Sequence, residues 1–392
     1  MKIEFITNAS FLINFDNGRK LLTDPWYTDG IYLGTLFNFP PLSDEQRQRY
    51  LGSRPDFIYI SHFHGDHLDP DSLRRFAKST PILIGAFPTP TLRNAIRSCG
   101  FTDVRELPFG DIVPIDGFEV TIYPQFSAST DDSGSEDSFP IDSSILVRES
   151  NGPSLFFCVD NPMQVSDASY IRDRFGPPDV ALLPYSGASI YPWVFKNYSH
   201  EDKLKRATTT RLDRLEKFCR LADEIAARYV VPAAGSFVYG GRIAAQSQYQ
   251  LQATPVEILK YLETRPLHGS LHLMATGDVL DCRTGSQEMN HGALFRNFSE
   301  AERISYAATL SDFRCPVDDI SWPVALRIPW RSLVRRARGN MWQRQQEIGV
   351  FPARNIELLI GTRHASGLTG DNVCIRFLLD QPGIADATAA SD

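Results

Sequence analysis

The feature that most constrains this chain is residues 56–69, an apolar run that ends abruptly in a cluster of polar side chains. His62, His64, Asp66 and His67 fall within six positions and include three of the eight histidines. In an extended strand, residues two apart point to the same side, so the imidazoles of His62 and His64 should lie together. An intervening glycine permits the turn that brings Asp66 and His67 round to them. A merely solvated strand end would not explain this density of histidine.

The side chains in this cluster have the chemistry of metal ligands. Imidazole nitrogen and carboxylate oxygen suit zinc, iron or manganese, and the absence of thiolate argues against a structural zinc finger. The sequence therefore predicts a metal centre whose ligands include His62, His64, Asp66 and His67.

The pattern His-x-His-x-Asp-His after an apolar strand resembles the signature of the metallo-β-lactamase superfamily. This resemblance implies an α/β fold, a four-layered αββα sandwich with the metal held at one edge by loops. It also implies that Asp160, which closes the strand-like run 154–159, completes or bridges the metal site, with Asp66 and Asp160 as the catalytic carboxylates. Asp24 lies in a Thr-Asp-Pro segment that the superfamily places beside the metal, where it either orients a ligand histidine or simply forms a turn before proline.

Two later segments depart from the hydrolases of that superfamily. The acidic, serine-rich loop 124–142 and the small residues 233–236 stand where those hydrolases carry further metal-binding histidines, and neither segment contains one. Two fully ligated zinc ions would therefore need Asp142, Gln125 or His200 as an additional ligand.

A substrate pocket is predicted from aromatic and small polar residues in irregular segments of the chain. Such side chains line pockets that hold a ring or an apolar group, although aromatic loops are also ordinary core. The predicted pocket residues are Trp26, Tyr185, Ser186, Tyr191, Trp193, Ser236 and Tyr239.

Segments 183–192 and 231–238, together with Asp142–Glu149 and Cys158–Pro162, resemble one branch of the superfamily. They are similar to the catalytic portion of the CMP-N-acetylneuraminate hydroxylases and of bacterial proteins like them. Those hydroxylases carry a Rieske domain, which needs paired Cys-x-His and Cys-x-x-His motifs. None of the six cysteines here stands in such a motif. If the protein activates oxygen, we expect its electrons to come from a separate donor protein, from the substrate or from a small reductant.

Composition is that of an ordinary soluble protein of 392 residues, 42% hydrophobic and 22% charged, with a net charge of -7. The negative charge and the lack of a basic tract argue against a nucleic-acid partner. No apolar run approaches the roughly 20 residues of a membrane span, and the N-terminal segment lacks the apolar core of a signal peptide. The dispersed cysteines are typical of reduced thiols, so we expect a cytoplasmic protein with no membrane partner.

The pattern of elements predicts three segments: a metallo-β-lactamase-like domain at 1–288, a small α+β extension at 289–380 and a disordered tail at 381–392. Within the first domain, Asp16-Asn17-Gly18 predicts a β-hairpin turn. His200–Arg228 predicts a long amphipathic helix capped by Ser199.

Three functions are compatible with the sequence. The favoured hypothesis is a non-haem iron oxygenase or hydroxylase with one or two iron ions that acts on a small polar molecule, because two histidines and a carboxylate leave metal positions open for O₂. The alternative is a zinc-dependent or manganese-dependent hydrolase of an ester, amide or phosphodiester bond. The third is a non-catalytic binding protein that retains the fold, which the intact histidine motif argues against.

Overall fold

The computed structural model describes residues 1–126, 141–187, 189–315, 356–363 and 369–377. The predicted tail at 381–392 lies outside these residues. The chain divides into two units, of which the first comprises Met1–Phe87, Thr91–Ser127 and Ile141–Ile320. This unit continues beyond residue 288, where the sequence placed a boundary. The described strands of the second unit form one antiparallel hairpin, in which Ile356 pairs with Phe377.

The described strands are β1 (Lys2–Thr7), β2 (Ser10–Asn14), β3 (Lys20–Thr23), β4 (Leu36–Asn38), β5 (Phe57–Tyr59), β6 (Ile82–Gly85), β7 (Val104–Leu107), β8 (Val113–Ile115), β9 (Phe118–Pro124), β10 (Ser143–Glu149), β11 (Ser154–Phe157), β12 (Val180–Pro184), β13 (Tyr229–Ala233), β14 (Phe237–Tyr239), β15 (Ser270–Leu271), β16 (Val279–Asp281), β17 (Gln287–Glu288), β18 (Ile356–Arg363) and β19 (Thr369–Phe377). The described helices are α1 (Ile31–Gly34), α2 (Asp44–Leu51), α3 (Pro70–Leu73), α4 (Thr91–Ser98), α5 (Val165–Phe175), α6 (His200–Ile225), α7 (Pro255–Leu262) and α8 (Glu300–Thr309), with a 3₁₀ helix at Gly241–Tyr249.

Two sheets face each other across the main core of the first unit. One has the strand order β17-β16-β1-β2-β3-β5-β6-β7 and the other β15-β13-β12-β11-β10-β9-β8. Successive side chains of a strand point to opposite faces of its sheet. In β2, Phe11 and Ile13 therefore pack in the core between the sheets, whereas Leu12 packs in the core on the outer face. The predicted hairpin is confirmed, because β2 and β3 pair antiparallel around Asp16-Asn17-Gly18.

Helices cover both outer faces of this pair of sheets. Side chains of α5, α6 and α7 pack in the outer core of the β8–β13 sheet, and side chains of α2, α3 and α4 pack in the outer core of the other sheet. The predicted α/β class and the four-layered αββα sandwich are confirmed. Among the described residues, no helix combines the length and the apolar character that crossing a bilayer requires.

The long helix α6 begins and ends close to the predicted positions. Ser199 is its N-cap and accepts a hydrogen bond from the backbone of Asp202, whose side chain reaches back to Ser199. The helix ends at Ile225, three residues before the predicted Arg228, because Ala226 adopts a left-handed conformation (φ 55°) that cannot continue it.

Ser199→Ala is expected to lower the free energy of unfolding by about 1 kcal/mol, because the capping box satisfies two backbone donors that would otherwise lack partners. Urea denaturation measures this difference. Lys205→Ala, an exposed change in the same helix, should alter the free energy by less than about 0.5 kcal/mol. Equal effects of the two changes would show that the cap contributes nothing specific.

Candidate metal centre

The candidate centre lies where parallel strands of the two sheets end. In one sheet Thr23 pairs with Tyr59, so the residues that follow β3 and β5 emerge side by side. In the other sheet β11, β12 and β13 run parallel and end together, which delivers Asp160 and the segments after β12 and β13 to the same edge of that sheet. Loops at the carboxyl ends of such strands are the usual place for a functional site.

The strand register explains the position of Asp24. Its buried carboxylate accepts hydrogen bonds from the backbone N–H of Ser61 (2.8 Å), from the Ser61 hydroxyl (2.6 Å) and from Nδ1 of His67 (2.9 Å). Of the two interpretations left open by the sequence, the hydrogen bond to a predicted ligand histidine is therefore the one the geometry supports.

His62 and His64 lie together, as their spacing predicts. Nε2 of His62 is 2.9 Å from Nδ1 of His64 and 3.7 Å from Oδ1 of Asp142. His62 is fully buried, whereas His64 is exposed. Asp142 reaches this position because the hydroxyl of Ser143, the first residue of β10, donates to the carbonyl of Ser61 (2.6 Å).

His67 faces a second carboxylate across the centre. Its Nε2 lies 3.2 Å from Oδ2 of Asp160 and 3.7 Å from Oδ2 of Asp66, yet this buried nitrogen makes no hydrogen bond to any residue that the structure describes. Asp160 is held by the next residue, Asn161, whose buried side chain donates to the Pro124 carbonyl (2.9 Å) and to the Ser144 hydroxyl (2.9 Å).

Two sets of side chains in the described residues have donor atoms close enough to share an ion. One is His62, His64 and Asp142, and the other is His62, His67 and Asp160, with all donor atoms of a set within 4.8 Å of one another. Nδ1 of His62 is 2.9 Å from the Ser61 hydroxyl, which leaves Nε2 to face the centre. The two sets therefore compete for one nitrogen. The predicted ligand Asp66 lies beside these sets and belongs to neither.

The electrostatics of the centre favour a cation. Burial alone would lower the pKa of His67, but the carboxylates of Asp160 and Asp66 outweigh it and raise that pKa well above its ordinary value. Burial would raise the pKa of Asp160, but the charge on His67 outweighs it and holds that pKa below its usual range. Burial, reinforced by the charge on His67, lowers the pKa of His62 well below its ordinary value. A bound metal would replace the proton on His67 and satisfy its buried Nε2, so the donor set fits a metal ion.

The other two candidate ligands take different positions. The side-chain carbonyl of Gln125 accepts from the backbone N–H of Ile141 (3.0 Å). His200 is exposed, lies 2.7 Å from the Tyr249 hydroxyl through Nδ1 and belongs to neither metal-binding set of the described residues. Of the three additional ligands considered from the sequence, Asp142 alone joins the histidines.

The predicted pocket residues separate into three groups. Trp26 and Tyr239 are buried in one apolar cluster, against which Trp193 packs, and the ring centroids of Trp193 and Tyr239 are 5.9 Å apart. Tyr185 belongs to the outer core of the β8–β13 sheet and also, with Ser236, lines a small cavity of about 50 Å³.

The third group, Ser186 and Tyr191, lies in the segment between β12 and α6. The Ser186 hydroxyl donates to the Gly235 carbonyl (3.1 Å), and Tyr191 is partly buried with its ring against Phe195. Wholly buried rings such as Trp26 support this edge of the fold and offer no surface to a substrate.

Sequence reasoning missed two residues that contact the centre. Asn8 donates to the Asp66 carbonyl (3.3 Å) and accepts from the backbone N–H groups of Gly235 (2.5 Å) and Ser236 (3.2 Å). The Tyr32 hydroxyl donates to Oδ1 of Asp66 (3.1 Å). The one signal for Tyr32 in the sequence is the pair of glycines that flanks it, Gly30 and Gly34, which permits an unusual backbone.

The chain matches a protein-family model and resembles several known proteins. A family model described as "Beta-lactamase superfamily domain" matches residues 2–234. A protein of Mycolicibacterium smegmatis named for a Rieske 2Fe-2S iron–sulfur centre is 29% identical over 245 residues, which cover 60% of this chain and 43% of that protein.

Two further relatives differ in the activity that their names give. The cytidine monophosphate-N-acetylneuraminic acid hydroxylase of Sus scrofa is 28% identical over 233 residues, which cover 56% of this chain and 48% of the hydroxylase. A metal-dependent hydrolase of Pyrobaculum arsenaticum is 31% identical over 127 residues, which cover 32% of this chain and 49% of the hydrolase. The chain spans less than half the length of each of these three relatives.

Proposed function

The chain belongs to the β-lactamase superfamily, and from this premise we propose that it is a non-haem iron oxygenase or hydroxylase that acts on a small polar molecule. The family and the αββα sandwich indicate a metal-dependent enzyme with a metallo-β-lactamase fold. The oxygenase activity, the use of iron and the electron source are the proposal.

The observation that carries the proposal is the make-up of the two ligand sets. Each set contains two imidazoles and one carboxylate. Three protein ligands of this kind leave coordination positions open, the arrangement that non-haem iron enzymes use for O₂ and substrate. A zinc pair in a hydrolase would be expected to have more protein ligands than these sets supply.

The segment after β13 supports the same proposal. In this chain Gly235 and Ser236 occupy that position, and their backbone N–H groups bond to Asn8, which is itself bonded to the Asp66 carbonyl. The segment therefore contributes hydrogen bonds and small side chains to the edge of the centre where a further histidine would otherwise add a metal ligand.

Iron held by one of the two sets, either His62, His64 and Asp142 or His62, His67 and Asp160, would supply the activation of O₂. The residues of the chain prepare that centre. Asp24 accepts a hydrogen bond from Nδ1–H of His67 (2.9 Å), so that Nε2 would be the nitrogen that binds the metal. Ser61 is 2.9 Å from Nδ1 of His62 and fixes that ring in the same way.

In the proposal, electrons reach the iron from a separate donor protein, from the substrate or from a small reductant. A Rieske centre needs Cys-x-His and Cys-x-x-His pairs, and the sequence contains neither. The five cysteines whose side chains the structure describes are all buried. Relatives named for a Rieske centre and for hydroxylation support a separate electron-donor protein as the partner. In vitro, a small reductant would take its place.

Zinc-dependent hydrolysis of an ester, amide or phosphodiester bond is the second candidate. It is favoured by the Pyrobaculum arsenaticum relative, whose name gives a metal-dependent hydrolase. In this alternative the same histidines would hold zinc or manganese, and Asp142 would supply the additional ligand beside His62.

Protein prepared without oxygen and loaded with Fe²⁺ should bind nitric oxide, used as a probe for O₂, and give the EPR signal of a high-spin iron–nitrosyl complex. With ascorbate added, the same protein should consume O₂ at a rate several-fold above free Fe²⁺ or the zinc-loaded protein. Retention of zinc against excess Fe²⁺, together with turnover of ester or phosphodiester substrates, would replace the oxygenase proposal with the hydrolase.

A further inference from the structure

The short turn α1 has a backbone conformation that its side chains disfavour. Tyr32 (φ 51°, ψ 52°) and Leu33 (φ 60°, ψ 44°) are both left-handed. Left-handed backbone brings Cβ too close to the next carbonyl, so successive residues other than glycine rarely adopt it. Tyr32 is 50% exposed and Leu33 is 61% exposed, so burial of these side chains offsets little of the cost. Strain of this kind is typically found at functional sites.

The turn brings the Tyr32 hydroxyl to the edge of the metal centre. This oxygen accepts the backbone N–H of Gly65 (2.8 Å) and donates to Oδ1 of Asp66 (3.1 Å). The other carboxylate oxygen of Asp66 lies 3.7 Å from Nε2 of His67. The hydroxyl therefore fixes both the backbone of the loop and the rotation of the Asp66 carboxylate.

The segment that follows α8 holds this turn in place. A Cβ added to Gly34 would lie 3.0 Å from Cβ of Cys315 and 3.3 Å from the ring of Phe313, and a Cβ on Gly30 would lie 2.6 Å from the same ring. The Phe313 ring also packs edge-on against Phe37 with centroids 4.8 Å apart. Residues 310–315 lie beyond the part of the chain that the superfamily model matches.

We propose that Tyr32 is a positioning residue for Asp66, and that residues 310–315 hold the left-handed turn that presents it. The inference rests on the proposed metal centre. Tyr32 holds the Asp66 carboxylate so that Oδ2 stays beside Nε2 of His67 at the edge of the centre. Residues 310–315, which we call the clamp, keep the strained turn from relaxing. A part of the chain outside the matched family region thus shapes the metal site.

Tyr32→Phe removes the hydroxyl and keeps the ring. Titration of the metal-free full-length protein with Co²⁺ should show about tenfold weaker binding and an altered visible absorption spectrum, because Asp66 is no longer held. Tyr170→Phe is the matched control: Tyr170 is 48% exposed and its hydroxyl accepts a hydrogen bond from Arg174 on the same helix. It should bind Co²⁺ as the wild type does.

Gly34→Ala tests the clamp. Its Cβ would crowd Phe313 and Cys315 at a position with φ 76°. Gly18→Ala is the matched control, since Gly18 has φ 84° and open space around it, so it imposes a similar backbone cost without crowding. Gly34→Ala should weaken Co²⁺ binding, and Gly18→Ala should not. If Gly34 acts through Tyr32, the double variant with Tyr32→Phe should bind no more weakly than the worse single variant.

The outcomes separate this inference from the proposed function. If Asp66→Asn weakens Co²⁺ binding and Tyr32→Phe does not, the positioning role is overturned and the metal centre stands. If Tyr32→Phe weakens binding and Gly34→Ala does not, the clamp is overturned. If His62→Ala leaves Co²⁺ binding unchanged, the metal centre itself is wrong and the inference is overturned with it.

Discussion

Replacing His62 by alanine is expected to remove nearly all bound metal from the protein. His62 belongs to both metal-binding sets of the described residues, and its Nε2 faces the centre from a fully buried position. Loss of this nitrogen leaves each set with one imidazole and one carboxylate. We expect affinity for the metal to fall by at least about 100-fold, equivalent to about 2.7 kcal/mol.

Metal analysis by mass spectrometry after growth in iron-rich and zinc-rich media measures this loss. His200→Ala is the control, because His200 is exposed and bonded to Tyr249 away from both sets. His64→Ala should also lose metal, but less completely, since His64 is exposed and belongs to one set. Full metal content in the His62 variant would show that the histidine motif is not the metal site.

Asp24→Asn is expected to have the second largest effect, although Asp24 is not itself a proposed ligand. The Asp24 carboxylate accepts a hydrogen bond from Nδ1–H of His67, so Nε2 is the nitrogen that gives up its proton to a metal. An asparagine NH₂ group in the same place would donate to Nδ1 and shift the proton to Nε2, where it blocks a metal. Changes of such supporting partners typically weaken metal binding by about 10-fold to 100-fold.

Folding stability should fall as well, because the change leaves buried hydrogen-bonding groups of Ser61 and His67 mismatched. Asp278→Asn separates the two effects. Asp278 is equally buried and accepts hydrogen bonds from Arg296, from the backbone of Ala275 and from the backbone of Asn290. We expect the Asp278→Asn protein to have a lower free energy of unfolding, measured by urea denaturation. Its Co²⁺ affinity, measured by titration, should equal that of the wild type. If the Asp24 variant behaved identically, Asp24 would serve the fold alone.

The parts of the site that could be predicted are those that depend on neighbours in the chain. His62 and His64 lie together because alternation in an extended segment fixes their side, and the glycine after them allows the turn. The resemblance to the superfamily added Asp24 and Asp160, and both lie at the centre.

Residues brought in from a distance could not be ranked from the sequence. The sequence offers three additional ligands of equal standing: Asp142, Gln125 and His200. In the structure, the hydrogen bond from Ser143 to Ser61 places the start of β10, and with it Asp142, beside His62. Tyr32 gave almost no signal, because its contact with Asp66 depends on a backbone conformation that most tyrosines do not adopt.

The sequence by itself determined the donor chemistry of the candidate centre: imidazole and carboxylate groups, spaced for a metal, at the end of a buried strand. The tertiary structure alone decided which distant side chains complete and support that centre. The physical reason is that donor chemistry and strand alternation are properties of a few adjacent residues. The approach of Asp142, Tyr32 and Asp24 depends instead on strand register, loop closure and packing across the whole first unit.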